Sequence, residues 1–458
     1  MKNHQAAKVC IVGLGPAGIG AALMLSRLGK KIDLVCIDGG NPPQKRYCSK
    51  DSNRACDKES FCQIICGFGG CALLSGGKIS EFPAGDGLVS VYGSEDNTKK
   101  ALLQALEIMS AYLTLEKTII NQVDADKEKS LFNAMGFEYR YYDAYLCEQK
   151  GLQRAFENIF QDLELSGASL LMRSELRDVK RKDDGFDLTV KNAATEVNIH
   201  TDYLLLAVGR SGRAMLRDLN TKMGLHGEEN SLDIGVRLEF PNRLFDEKVK
   251  IHKDLKLVFG SARTFCVCRD GKIVHYYSNS LHFTEGCCTA SEKSGLTNLG
   301  ITIRLPASKN NQLVFNNMRK KMIKLHDGKI ISQNLKDYLL TNDYKKENPH
   351  SESSNFLEEG DINLCFPKPI SSSVRDAVSY FAIRFFPQEN WDKVRVFAPE
   401  VDYGGLRFPL SAEFSIIPNM YLIGDCTGRF RGILQAFSSG ISCAKNIKGD
   451  LLEKNGQK

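Results

Sequence analysis

The residues near the start of the chain with the clearest chemical pattern are three glycines and an acid. Gly13, Gly15 and Gly18 follow the apolar run 9–12, and Asp38 ends the next apolar run. Glycines at these positions permit a tight turn, a close approach of pyrophosphate to the backbone, and close packing of a helix on a strand. The N–H groups at a helix N-terminus bind phosphate, and the acid accepts from a ribose hydroxyl. The spacing therefore predicts a site for the ADP half of a dinucleotide.

The surrounding elements have the order that this site requires. Residues 9–12 predict a strand, and residues 19–28 predict a helix that follows Pro16 and Ala17. Residues 32–37 predict a second strand, and Gly39 directly follows its terminal acid. A GxGxxG pattern alone is weak evidence. Strand, turn, helix, strand and acid in this order favour a dinucleotide site over the alternative, a glycine-rich turn in an ordinary α/β core.

A second glycine-rich segment covers residues 66–78. It contains Gly69, Gly70 and Gly77 and ends at Lys78. Closely spaced glycines predict a backbone that lies against a ligand or adopts several positive φ angles. We expect this segment to contact the bound cofactor. The alternative, a flexible surface loop, agrees poorly with the apolar residues among the glycines.

Two later strand ends complete the predicted cofactor site. The apolar run 203–208 includes Ala207 and precedes Gly209, and the run 420–423 precedes Gly424 and Asp425. The final predicted helix is introduced by Arg431, Gly432 and Ile433. An acid here suits a hydrogen bond to a ribitol hydroxyl, and a helix N-terminus directs partial positive charge at a flavin ring. This last strand favours FAD over NAD.

In this order the motifs resemble those of the predicted FAD-dependent dehydrogenases, bacterial and archaeal flavoproteins of the two-dinucleotide-binding-domain type. The resemblance covers most of the chain, and its further motifs are residues 67–70 with Ser75-x-Gly77-Lys78, 207–213, 234–239, 264–271 and 424–436. It implies an α/β fold, in which an FAD-binding Rossmann-like domain of the glutathione-reductase/p-hydroxybenzoate-hydroxylase type carries an inserted mixed α+β substrate domain. Cys71, Gly76 and Arg269-Asp270 depart from the family pattern.

The pattern of apolar residues predicts how the chain is divided. A helix is expected near 151–165, and strands are expected at 196–200 and 232–240. The FAD-binding domain is expected in three parts, and alternating runs in the inserted domain indicate an antiparallel or mixed sheet. The expected segments are 1–98, 151–213 and 401–458 for the FAD-binding domain, 99–150 for a helical segment and 214–400 for the substrate domain.

The predicted function is that of an FAD-dependent oxidoreductase, a dehydrogenase or reductase. A hydride would pass between flavin N5 and a small organic substrate under the inserted domain. Because only one GxGxxG is present, NAD(P)H is expected as a transient donor at most. The alternatives are a flavin-dependent monooxygenase that uses NAD(P)H and O2, and an RNA-associated or redox-sensing flavoprotein.

Three residues are candidates for a catalytic role. Lys78 and Arg431 lie in loops expected to approach the flavin, where either would stabilise negative charge on it. The alternative for Lys78 is a solvated loop charge. Cys266 and Cys268 are two residues apart, so a regular strand would place both thiols on one face. The alternative is a structural pair of small residues, and no metal site is predicted.

Composition restricts the partners and the location. The 458 residues carry a formal charge of +6, without a run of five or six like charges, so a nucleic-acid partner is not expected. No stretch has the eighteen or so consecutive apolar residues of a membrane span, and no signal peptide is evident. We therefore expect a cytoplasmic protein with its 15 cysteines free of a disulfide framework. The sequence makes no prediction of oligomeric state.

Overall fold

The computed structural model describes most of the chain. The described residues are 3–27, 32–48, 55–74, 76–118, 121–192, 195–251, 254–289, 293–341, 355–403 and 405–456. Ser75, part of a motif above, lies outside them.

Within these ranges the helices are α1 Pro16–Ser26, α2 Val89–Tyr92, α3 Glu95–Ser110, α4 Gln122–Ala134, α5 Gln149–Leu165, α6 Arg213–Met223, α7 Asn242–Asp246, α8 Asn311–His326, α9 Leu335–Leu340, α10 Lys368–Phe385 and α11 Ile433–Gly456. The strands are β1 Asn3–Val12, β2 Leu34–Asp38, β3 Lys78–Ser80, β4 Glu116–Thr118, β5 Glu138–Arg140, β6 Ala144–Leu146, β7 Ser169–Met172, β8 Glu175–Lys182, β9 Gly185–Lys191, β10 Glu196–Leu206, β11 Glu228–Glu229, β12 Leu232–Pro241, β13 Lys256–Phe259, β14 Ala262–Arg269, β15 Lys272–Ser278, β16 Leu281–Cys287, β17 Leu296–Leu305, β18 Ile330–Asn334, β19 Leu357–Glu359, β20 Arg395–Tyr403, β21 Leu406–Arg407, β22 Ser415–Ile417 and β23 Met420–Leu422.

The first sheet is mostly parallel and has β1 near its centre. Its strand order is β22-β23-β10-β1-β2-β7, with β9 antiparallel to β10 and β8 antiparallel to β9. β1 pairs in parallel with β10 and β2, and β10 pairs in parallel with β23. The carboxyl ends of these four strands therefore lie at one edge of the sheet, where ligands bind in open α/β folds.

Helices α1 and α11 pack closely against each other. A Cβ atom on Gly20 would lie 2.5 Å from the carbonyl oxygen of Phe437, and one on Gly440 would lie 1.9 Å from that of Ala17. Only glycine permits such an approach of two backbones. Pro16 and Ile433, the first residues of the two helices, line the same apolar cavity. Both helices therefore begin at the same place in the fold.

A second, mixed sheet has the order β19-β18-β20-β12-β17-β14-β13-β5. β12 lies between β17 and β20 and is antiparallel to both. One face, with Ile234, Val236 and Leu238 of β12, belongs to the same hydrophobic core as Phe381 and Phe385 of α10. The architecture confirms the predicted α/β class with a Rossmann-like sheet and a second mixed α+β region.

The segment 99–150 differs from its predicted mostly helical character. It holds most of α3 and all of α4, but also the strands β4, β5 and β6, each three residues long. β5 pairs with β13 of the second sheet, and β6 pairs with β3 and β4. Strands this short contain too few residues to show an alternating pattern. The boundaries proposed for the domains stay predictions.

None of the described helices is both long and apolar enough to cross a lipid bilayer.

Candidate functional site

The turn after β1 requires glycine for steric reasons. Gly13 has a φ of +98°, and its N–H donates to the carbonyl oxygen of Ile37 over 2.7 Å. A Cβ atom on Gly13 would lie 2.3 Å from the carbonyl oxygen of Ala207. A Cβ atom on Gly18 would lie 1.9 Å from the carbonyl oxygen of Gly13. β1, α1 and β10 thus meet without space for a side chain at either position.

The N-terminus of α1 offers backbone donors. Gly15 is its N-cap residue, no side chain caps it, and its first turn contains no acid. Pro16 has no N–H, and the N–H groups of Ala17 and Gly18 have no acceptor within the helix. A Cβ atom on Gly15 would have Gly70 Cα as its nearest neighbour, at 3.7 Å. This end of α1 therefore suits an anion that approaches the backbone closely.

The second glycine segment lies directly on this turn. Gly69 and Gly70 have φ angles of +89° and +55°, and the Gly69 N–H donates to the carbonyl oxygen of Leu14 over 2.8 Å. A Cβ atom on Gly70 would lie 2.9 Å from Gly15 Cα. The buried Arg46 donates to the carbonyl oxygens of Phe68 and Gly70 over 2.8 and 2.6 Å. Sequence reasoning missed Arg46, because no motif distinguishes it within a polar loop.

Asp38 holds the two glycine loops together. Its Oδ2 accepts from the N–H of Leu14 over 2.7 Å, and its Oδ1 accepts from those of Gly40 and Gly67 over 2.8 Å each. The ribose contact predicted for this acid stays a prediction. At Gly39, a Cβ atom would lie 2.4 Å from the ring of Phe61, so glycine is needed there for packing.

The later strand ends reach the same edge of the sheet. Ala207 donates its N–H to Val12 over 2.7 Å, and Gly209 follows with a φ of +54°. Gly424 has a φ of +77°, and a Cβ atom there would lie 2.7 Å from the Cβ of Ala17. Gly432, with a φ of +108°, precedes Ile433 at the start of α11. Gly424 thus contacts the first turn of α1, and Gly432 leads into the helix that packs on α1.

Charged side chains occupy the junction between this edge and the second sheet. Arg210 pairs with Glu285 over 2.6 Å, and Arg213 pairs with Asp425 over 3.2 Å. Arg431 pairs with Asp402, and its guanidinium lies 5.1 Å from the ring centroid of Phe265.

Arg431 has an unusually low pKa for an arginine. Loss of water contact, with repulsion from Arg210 and Arg213, lowers the pKa of Arg431 to about 9. Its side chain still has 36% of its surface exposed, so solvent reaches it from one side. Sequence reasoning named Arg431 but missed Arg210 and Arg213 as members of the same cluster. Both arginines lie in the motif 207–213, directly after β10, and this position could have indicated them.

Lys78 is held in a buried ion pair. Its Nζ lies 2.6 Å from Asp254 Oδ1 and donates to the carbonyl oxygen of Val267 over 2.9 Å. The hydroxyl of Tyr142 donates to the other oxygen of Asp254 over 2.9 Å. Burial by itself would lower the pKa of Lys78, but the carboxylate of Asp254 raises it well above its usual value. The alternative of a solvated loop charge is wrong, because only 15% of the side chain is exposed.

The two thiols are neighbours for a different reason from the one predicted. Cys266 has a φ of +44°, and the register of β14 with β17 shifts between Phe265 and Cys268. Side chains therefore do not alternate regularly between the two faces of β14 here, yet the sulfurs of Cys266 and Cys268 lie 3.8 Å apart. A hydrogen bond with Cys268 and burial raise the pKa of Cys266 well above its usual value, so the thiol stays protonated. Gly77 contacts this region through an N–H donated to Cys288 over 3.3 Å.

Taken together, the predicted residues fall into two neighbouring groups. Around the start of α1 lie Gly13, Gly15, Pro16, Ala17, Gly18, Asp38, Gly39, Gly69, Gly70, Ala207, Gly424 and Ile433. Gly209, Asp425 and Gly432 are within two residues of members of this group in the sequence. Lys78 and Arg431 instead reach β14 of the second sheet, at Val267 and Phe265. Lys78 and Arg431 thus connect the carboxyl edge of the first sheet to the second sheet.

Comparison of the sequence with models of known families gives no match, and neither does comparison with curated proteins. Many solved structures show some likeness, and three of them illustrate its level. A geranylgeranyl bacteriochlorophyll reductase-like protein from Thermoplasma acidophilum is 10% identical, with a TM-score of 0.41 over 99% of this chain and 80% of that chain. The E. coli quinol fumarate reductase FrdA is 11% identical, with a TM-score of 0.43 over 98% of this chain and 70% of that chain.

The third structure is the flavin-dependent monooxygenase PieE in complex with FAD and substrate. It is 10% identical, with a TM-score of 0.41 over 97% of this chain and 58% of that chain. Similarity at this level does not transfer a cofactor or a reaction from those proteins to this chain.

Proposed function

We propose that this chain is an FAD-dependent oxidoreductase. The observation that carries the proposal is the convergence of two glycine-lined loops and two helix N-termini at one edge of a parallel sheet. Cβ atoms on Gly13, Gly18 and Gly424 would occupy positions within 2.7 Å of other atoms, so this edge is shaped for backbone contact. Free N–H donors at the start of α1 suit a pyrophosphate. The start of α11 beside them suits a second part of the same extended cofactor.

The residues of this chain would hold FAD in distinct ways. The N–H groups of Ala17 and Gly18 would bind the pyrophosphate, and Asp425 would accept from a ribitol hydroxyl. Arg431 and the N-terminus of α11 would supply positive charge where electron density increases on reduction. When bound, FAD supplies the redox chemistry, and the protein supplies orientation and electrostatics.

The reaction that we propose is hydride transfer between flavin N5 and a small organic substrate. The support comes from the second sheet, whose strand β14 meets both Lys78 and Arg431. A substrate bound on that sheet would lie on the far side of the two cations from the phosphate turn. The buried Lys78–Asp254 pair would keep a positive charge fixed there.

The visible spectrum of the purified protein tests the cofactor. We expect two oxidised-flavin bands that survive desalting and that bleach on anaerobic addition of NADH, of NADPH or of the substrate itself. A folded protein that stays colourless after incubation with FAD would refute the proposal. Bleaching by a nicotinamide identifies the donor, whereas resistance to both nicotinamides favours reduction by the substrate.

A further inference from the structure

Helix α8 is anchored to the rest of the protein by one face. Met318 and Met322 are fully buried, and the ring of Phe315 stacks on those of Phe283 and Tyr403. These three residues of α8 recur at intervals of three and four, as on one face of a helix. The opposite face, which we call the outer face, is therefore held in a fixed orientation at the protein surface.

The outer side of α8 exposes large apolar side chains. Leu313, Ile323 and Leu325 keep 58%, 37% and 47% of their surface exposed. No other helix in the described part of the chain has as many exposed residues of this kind. Single exposed apolar residues are normal on a protein, so these three indicate a partner only together with a second feature.

The second feature is a set of cations on a helix without an acid. The arginine and lysines of α8 are Arg319, Lys320, Lys321 and Lys324. Lys320 and Lys324 are exposed, and among the described residues no acid forms an ion pair with either. They follow Leu313 by seven and eleven residues, which is close to two and three turns of a helix. Positive charge and apolar surface therefore lie on the same line along the outer face.

Acids beyond the end of α8 do not cancel this charge. Asp327, directly after the helix, pairs with Lys58, and Glu358 pairs with His326. Lys309, exposed in the turn before α8, adds a cation at the other end. The outer face therefore stays positively charged over about 18 Å, the length of helix from residue 313 to residue 325. We call the surface formed by Lys309, Leu313, Lys320, Ile323, Lys324 and Leu325 the basic stripe.

The composition of the basic stripe distinguishes between classes of partner. Lysine is depleted in protein–protein interfaces, and apolar side chains separated by lysines do not form the continuous apolar centre of such an interface. Nucleic-acid phosphates are bound by cations and polar groups, which leaves the exposed leucines and isoleucine unexplained. An anionic bilayer accounts for both features, because its headgroups attract lysine while apolar side chains enter the boundary with the acyl chains.

We propose that the basic stripe binds the surface of an anionic lipid bilayer, with the axis of α8 parallel to that surface. The lysine ammonium groups would contact lipid phosphates, while their apolar stems and the three exposed apolar side chains enter the headgroup region. Binding requires no unfolding, since the opposite face of α8 stays packed on Phe283 and Tyr403. The proposal does not depend on the flavin.

Co-sedimentation with vesicles tests the proposal. The full-length protein is mixed with vesicles of equal parts phosphatidylcholine and phosphatidylglycerol, and separately with vesicles of phosphatidylcholine alone. We expect binding to the anionic vesicles only, and weaker binding as the salt concentration rises. Absence of binding to the anionic vesicles at low salt would overturn the proposal.

Matched double variants locate the binding surface. Lys320→Gln with Lys324→Gln should weaken vesicle binding about 25-fold, from about fivefold for each lysine. The control is Lys127→Gln with Lys129→Gln, which removes the same charge from two exposed lysines of α4. It should change binding by less than about twofold, because those lysines lie on another helix. Equal losses in the two double variants would show a non-specific attraction of the whole protein and would overturn the proposal.

A second matched pair tests the apolar part of the basic stripe. Leu313→Ser should weaken vesicle binding about fivefold, because a partly inserted leucine is lost. Leu131→Ser, at a residue of α4 that is 50% exposed, should have no effect. All of the substituted residues are exposed, so each variant should keep the thermal unfolding midpoint of the wild type. Unchanged binding in Leu313→Ser, with retention of double-stranded DNA that the lysine variant abolishes, would assign the basic stripe to nucleic acid and overturn the bilayer proposal.

Discussion

The two ends of the proposed cofactor site are built from different kinds of group. At the phosphate end the contacts are made by the backbone, and the important side chains are absent ones, at Gly13, Gly15 and Gly18. At the end that faces the second sheet the contacts are made by charged side chains, chiefly Lys78 and Arg431. The first end is determined by steric exclusion and the second by ion pairs. A substitution at Gly13 or Gly18 should therefore affect folding, whereas one at Arg431 should mainly affect chemistry.

The largest effect is expected from Gly18→Ala. The new Cβ would lie 1.9 Å from the carbonyl oxygen of Gly13, a backbone atom that cannot move without displacing the turn. We expect a loss of about 3 kcal/mol or more in the free energy of unfolding, measured by urea denaturation. Gly167→Ala is a useful comparison, because its positive φ is strained but nothing lies within 4 Å of its Cβ. Equal losses in the two variants would contradict the steric account.

Arg237→Met tests whether a substitution on the second sheet can reduce the free energy of unfolding by a similar amount. Arg237 is fully buried, and its removal leaves Glu400 as an uncompensated buried charge. We expect a loss of about 3–5 kcal/mol in the free energy of unfolding. The double variant Arg237→Met with Glu400→Leu should recover most of it. For scale, Lys99→Met breaks an exposed pair with Glu95 and should cost less than about 0.5 kcal/mol.

Gly15→Ala separates cofactor binding from folding at the phosphate end. The new Cβ would make only an ordinary contact of 3.7 Å with Gly70 Cα, and Gly15 has a φ of −72° that alanine adopts readily. We expect a change of less than about 1 kcal/mol in the free energy of unfolding. FAD affinity should fall at least about tenfold, because the methyl group intrudes where the pyrophosphate approaches. Unchanged FAD content after desalting would show that the cofactor does not lie on this turn.

The smallest effect is expected from Arg431→Gln, and it depends on pH. Below its pKa of about 9, Arg431 is positively charged. It would then favour negative charge on the flavin that we propose beside it. The variant should then lower the reduction potential of bound FAD by about 30 mV, the equivalent of about 1.4 kcal/mol for two electrons. As pH rises through about 9, wild-type Arg431 loses its proton and the difference should disappear. A difference that is constant from pH 7 to 10 would contradict the assigned pKa.

Local patterns in the sequence predicted the long elements well. The helix expected near 151–165 is α5 at Gln149–Leu165, and the strand expected at 232–240 is β12 at Leu232–Pro241. Both have enough residues to show the period of their structure. The three-residue strands β4–β6 do not, and two strands expected at 196–200 and 203–208 form the single strand β10. The role of Asp38 in joining the two glycine loops also could not be predicted, because it depends on where Gly67 lies in space.

By itself the sequence determined the glycine turn after β1, because the need for glycine there and the spacing of strand and helix are properties of adjacent residues. Only the tertiary structure decided what the charged residues do. Lys78 meets Asp254 across 176 residues of sequence, and Arg431 meets Phe265 on a different sheet. An ion pair carries no local signature, since any acid can pair with any base that the fold places beside it. The contacts of Lys78 and Arg431 with the second sheet could therefore be found only in the folded structure.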